Sequence, residues 1–174
     1  FILEGGKENK EEVPPLIAHM DIPDSWRFVI VCPKDIHSFD EVEEKPIMES
    51  MKVDRKYPSM ISHHIVMGVL PALVSTDIEG FGHHISKIQR LVGRSFAEPQ
   101  GGIFHPIIAD VIEKLEVLTY GAGQSSWGPT GYGITDIENA EDVKDEILGY
   151  LDDKELDSHV WIAEPENEGA HFSE

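Results

Sequence analysis

The residues best equipped for chemistry lie together from Gly121 onward, in the stretch GAGQSSWGPTGYGITD. Gly121 and Gly123 leave backbone N–H groups unshielded, and Gln124, Ser125 and Ser126 add side-chain donors. Such a rim suits phosphate or carboxylate oxygens. Trp127 beside it either offers a flat surface to an aromatic ligand or caps the core beneath a hairpin. The stretch equally reads as a hairpin whose glycines answer steric needs. It lacks the Lys-Ser/Thr ending of a Walker loop, which argues against that nucleotide site.

A second group of candidates is cationic. Arg90 and Arg94 stand four residues apart and share a helix face if the helix holds past Gly93, with Gln100 and His105 following. They form either a solvated basic edge or the local pocket an anionic substrate needs. The neighbours His63-His64 and His83-His84 do not make a metal chelate within one helix, because adjacent helical side chains point about 100° apart. No HExxH or CxxC occurs, and no dedicated metal site is expected. Cys32, the single cysteine, excludes an intramolecular disulfide, fits a reducing cytosol, and ends the apolar run WRFVIVC as a small hydrophobe rather than a nucleophile.

Composition narrows the classes of partner. Of 174 residues 33 are acidic and 14 basic, a formal net charge of -19. That field opposes nucleic acid and anionic membrane surfaces. Neither a run of 18 apolar residues nor a signal-peptide layout is present, so a cytoplasmic protein with one sizeable core is expected.

The elements that must position these residues follow from periodicity. Residues 1–24, with Gly5, Gly6, Pro14, Pro15 and Pro23 among charges, read as an irregular lead-in, and 26–32 as a buried strand. FDEVEEK reads as a charged loop or short helical turn. Residues 59–74 are helical in character, interrupted at Pro71, with more apolar positions than one stripe holds, so an exposed apolar patch is expected there. Thr76-Asp77-Ile78-Glu79 has the form of a capping box. Ile78, Phe81, Ile85, Ile88 and Val92 then form one stripe, ended by Gly93. Pro106 opens a helix buried through Ile108, Val111, Ile112, Leu115 and Leu118. Strands at 119–125 and 130–136, an acidic helix at about 138–151 and a strand at 159–163 complete the order. The class is α+β: a split βαββαβ-like antiparallel sheet with helices on one face, plus extra helices.

GAGQSSWGPTGYGI, with LVGRSFAEPQGGIF upstream and PENEGA near the end, resembles the C-terminal half of the archaeal β-ribofuranosylaminobenzene 5′-phosphate synthases of the GHMP kinase superfamily. The Gln-Ser-Ser-Trp-Gly-Pro-Thr continuation is the specific part of that resemblance. It implies a GHMP-kinase-type C-terminal domain over 25–174, with 1–24 leading in from a missing N-terminal domain that carries the phosphate loop. It further implies condensation of phosphoribosyl diphosphate with an aminobenzoate in methanopterin synthesis, with release of carbon dioxide and diphosphate and with Mg2+ held by the missing half. Gly121, Gly123, Gln124, Ser125 and Ser126 would then close the site over the substrates. On this footing the chain alone is expected to be inactive, and a homodimer is open. A GHMP small-molecule kinase, or a non-catalytic binding or dimerisation module, is the alternative.

Overall fold

The computed structural model describes residues 1–6, 9, 12–36, 41–50, 54, 56–126 and 128–169, without the side chains of 41–44 and 50. Trp127 lies outside the described residues.

Strand β3 (Trp26–Pro33) is the axis of the fold. Its odd positions Val29 and Val31 are fully buried, as a continuous apolar run covered on that face requires. It pairs antiparallel with β5 (Gly131–Asp136) and β6 (Ser158–Ala163), and β5 pairs with β4 (Gly121–Gln124), giving the order β4-β5-β3-β6. On one face pack α5 (Ala109–Leu118) and α6 (Ala140–Asp153), through Ile108, Ile112, Leu115, Val143, Ile147 and Leu151 against Val29 and Val31. Burying each of these aliphatic side chains contributes roughly 2 kcal/mol.

The extra helices lie on the other face, toward β4. They are α2 (Lys56–His64), a π-helical turn (Ile65–Val69), α3 (Leu70–Ser75) and α4 (Ile78–Gln100). Here Trp26 and Phe81 meet with ring centroids 4.9 Å apart, among Val69, Leu73 and Ile134. The interruption near Pro71 takes the form of the π turn before it, and Pro71 itself sits in the first turn of α3. Met60, Val66, Met67 and Val74 are exposed, so the surplus of apolar positions in this stretch does reach the surface. The helical run Lys56–Ser75 is long and apolar enough to pass for a membrane span by composition. Here Gly68, Val69, Ala72 and Leu73 are buried in the protein.

Several local expectations require correction. The lead-in carries a two-stranded antiparallel ladder, β1 (Ile2–Glu4) with β2 (Leu16–His19), tied further by the Phe1 ammonium donating to the Met20 carbonyl at 2.7 Å. Residues 41–50 of the charged stretch form α1 (Glu41–Ser50), longer than a turn; 39 and 40 lie outside the described residues. Helix α4 does not end at Gly93 but at Gly101, which takes the left-handed conformation (φ 84°). Gly93 instead lets the helix pass against the Ile103 carbonyl. Pro106 precedes α5 by a turn in which the Ile108 and Ala109 N–H groups donate to the His105 carbonyl.

The cap of α4 is Asp77, whose carboxylate accepts from the Gly80 N–H at 3.0 Å; Thr76 sits left-handed (φ 57°) as the end of α3. Asp77→Ala is therefore expected to lower stability by about 1 kcal/mol in urea unfolding, with Thr76→Ala nearly neutral. The opposite ranking would restore Thr76 as the cap.

Candidate functional site

The glycine-rich stretch forms β4, a turn and β5, at the edge of the sheet. All four residues of β4 are buried, because α4 lies directly on it. Gly82 of α4 and Gly121 of β4 meet backbone to backbone, and a Cβ on either would overlap the other chain segment. One and two turns further along α4, Ser86 and Gln89 bond to the strand's backbone. Ser86 Oγ accepts from the Ala122 N–H at 2.9 Å, and Gln89 Oε1 accepts from the Gln124 N–H at 3.2 Å. Neither residue stood out in the sequence; the signal was the spacing 82, 86, 89 of small and polar residues along one helix face.

Gln124 is buried and its side-chain amide is engaged throughout. Its Oε1 accepts from the His105 N–H at 2.6 Å, and its Nε2 donates to Gln100 Oε1 at 2.9 Å and to the Ser126 carbonyl at 2.8 Å. Gln100 in turn donates to the carbonyls of Gly102 and Ile103. These amides tie the hairpin to the end of α4 and to the connector before α5. A small cavity of about 120 Å³ remains among Gln89, Gln100, Phe104, Gln124 and Ser126.

Strand alternation puts Ser125 on the opposite side. Its N–H donates to the Thr130 carbonyl at 2.9 Å, while its side chain lines a trough of about 510 Å³ on the open face of the sheet. Ile30, Ile134 and Trp161 belong to the floor, Phe81 and Ile85 of α4 to the wall, and Ser125 and Thr130 bring hydroxyls to the hairpin end. Thr130 Oγ1 donates to Cys32 Sγ at 3.4 Å, leaving its lone pairs for a donor. Among the described residues, no Asp, Glu, Lys or Arg lines the trough. Tyr132 also borders it; burial pushes its phenol up to about 12 against an opposing hydrogen bond from Gln89, so it stays neutral at physiological pH. Trp161, 43% exposed, presents its ring there.

The two arginines do not join this trough. Arg90 pairs through its Nε and Nη2 with the two carboxylate oxygens of Glu116 of α5, and its guanidinium carbon lies 5.6 Å over the Phe104 ring. Arg94 is exposed one turn on, close enough to feel the charge of Lys56. Helix α4 does hold past Gly93, so they share a face, but Arg90's charge is matched by a carboxylate. Gly123 packs on the Gln89 side chain and the Tyr132 hydroxyl. Ser126 turns the chain with φ 53°. Among the described residues no group of three or more His, Cys, Asp or Glu side chains could hold a metal ion. The described donor set therefore does not fit a magnesium site.

Residues 69–152 match the family described as GHMP kinases C terminal. Solved structures agree on the fold: the phosphomevalonate kinase of Streptococcus pneumoniae superposes with a TM-score of 0.62 over 91% of this chain and 48% of its own, at 13% identity. The mevalonate kinase of Methanococcus jannaschii gives 0.60 over 83% of this chain and 41% of its own, at 16% identity. In sequence the chain is related to the β-ribofuranosylphenol 5′-phosphate synthases. It is 30% identical to that of Methanothermobacter thermautotrophicus over 86% of this chain and 49% of the relative, and 30% identical to that of Archaeoglobus fulgidus over 99% and 56%. The chain thus spans about half the length of the curated relatives it matches. Their product name carries a phenol where the sequence resemblance implies an aminobenzene, a hydroxyl for an amino group on the ring.

Proposed function

We propose that the chain is the C-terminal half of a synthase of this class, joining phosphoribosyl diphosphate to an aminobenzoate- or hydroxybenzoate-type acid with loss of carbon dioxide and diphosphate, as a step toward methanopterin. The observation that carries the proposal is the uncharged trough ending in hydroxyls at the hairpin, in a chain related to these synthases over most of its length. The trough takes the aromatic ring, Ser125 and Thr130 meet its hydroxyl or amino substituent, and the carboxylate-bearing carbon points out toward the ribosyl centre supplied by the other half. Holding that carbon in place is an orientation task, and a rigid sheet floor is suited to it. Gly121, Gly123, Gln124 and Ser126 serve the same site by fixing the hairpin on α4. Trp127, Arg90 and Arg94 are assigned to the anionic substrate in the complete protein, the two arginines from a face of α4 outside the trough. Magnesium would neutralise the departing diphosphate from ligands outside the described residues, and no step here depends on it.

In the complete protein, Ile30→Trp fills the trough and is expected to raise KM for the aromatic acid by about tenfold, with KM for phosphoribosyl diphosphate unchanged. Ser125→Ala should lose about tenfold in kcat/KM for the acid through one hydrogen bond, with little effect on stability. Unchanged KM for the acid in Ile30→Trp would make the trough a docking face for the other domain instead. The kinase alternative gains no separate support, since the solved kinases are 13–16% identical and bear on the fold alone.

A further inference from the structure

Between α2 and α4, away from the trough, His64 Nδ1 and His84 Nδ1 stand 3.0 Å apart, with ring centroids at 5.2 Å. An imidazole centroid lies a little over 1 Å from its ring nitrogens, so a centroid separation this close to the maximum means the two nitrogens point at each other nearly head-on. Only one proton fits between them: one ring donates and the other accepts, which requires that the pair not be doubly charged. The surrounding backbone is shaped around this contact. The helix widens into its π turn directly after His64, and Gly68 within that turn lies against the His84 ring, where any side chain would overlap it.

We propose that His64 and His84 form a proton-gated clasp between α2 and α4, closed by one shared proton at neutral pH and opened when acid supplies a second. Doubly protonated, the two Nδ1–H groups oppose each other across 3.0 Å, and the pair must separate. The groups facing the rings add to the repulsion: His63 from α2, and His83 and Lys87 from α4. The π turn and α3 contribute no ionisable side chain. Burial first, then these neighbours, hold both imidazoles below their ordinary range. The sign follows. The unfolded chain takes up protons near the ordinary histidine value while the folded pair resists, so the clasp's stability is complete above about pH 6.5 and is lost as pH falls through the depressed folded values. His84 lies two residues from Gly82, so release of α2 loosens the helix that seats β4.

The test is proton uptake on unfolding of the 174-residue chain in chelator-containing buffer, from urea transitions between pH 8 and 5. The unaltered chain is expected to take up about one to two more protons on unfolding below pH 6.5 than the His64→Gln/His84→Gln double variant, and His63→Gln should keep most of that difference. Equal proton uptake in the unaltered and double-variant chains overturns the clasp. If the double variant does not fold, side-chain 15N spectra of the unaltered chain decide. One protonated and one bare Nδ1 at pH 7.5, with both rings titrating in coupled steps below the ordinary value, support it. Two independent rings titrating at the ordinary value contradict it.

Discussion

Gly121→Ala is expected to unseat α4 from the sheet and to lower stability by at least about 3 kcal/mol, the upper range for overpacking because nothing flexible can yield. The new Cβ would meet backbone of Gly82, and a backbone cannot rotate away as a side chain can. Moving α4 outward would also break the bonds from Ser86 and Gln89 to β4. Gly123→Ala is the informative comparison. Its Cβ meets the Gln89 side chain and the Tyr132 hydroxyl, which can shift, so a loss roughly half as large is expected. Urea midpoints of the two variants check the ranking. Equal, small losses would mean that α4 does not rest on β4 as described.

Gln124→Ala is the second large effect, at about 3 kcal/mol, because it leaves the His105 N–H, Gln100 Oε1 and the Ser126 carbonyl without their partner in a buried setting. Gln124→Glu keeps an acceptor for His105 but loses both donors, so it should rescue only part of the loss. Ser125→Ala, on the trough side, should stay within about 0.5 kcal/mol of the parent protein. Thermal or urea unfolding of the three variants separates a structural amide from a ligand-facing one. A stable Gln124→Ala with lost turnover would turn that amide toward the substrate.

Much of this fold was legible because its signals are local or periodic. The run at 26–32, the stripe from Ile78 to Val92, and the face Ile108, Val111, Ile112 and Leu115 each declare an inward side, fully buried in the last case and half-buried around Phe81 in the stripe, and the sheet order follows from how such units pack. The misplacements share a cause in contacts distant along the chain. Gly93 looks like a helix end until the connector carbonyl of Ile103 is set against it. Thr76 and Asp77 are both plausible caps, and the left-handed exit of α3 claims Thr76 for itself. The short β1–β2 ladder has no strong alternation to announce it.

The candidate site was legible in place but not in orientation. Alternation along the hairpin does separate Gln124 and Ser126 from Ser125. Which side is open depends on α4, whose Ser86 and Gln89 approach from about 35 residues upstream. His64 and His84, each read only against its sequence neighbour, meet because two helices cross.

The central claim, that this domain serves a ribosyl-transferring synthase, is tested most directly by 31P NMR of the complete protein incubated with phosphoribosyl diphosphate and magnesium, with and without a hydroxy- or aminobenzoate and without ATP. The account predicts diphosphate release that requires the aromatic acid and is accompanied by carbon dioxide. Absence of that release, with phosphorylation of an alcohol appearing once ATP is supplied, would contradict it.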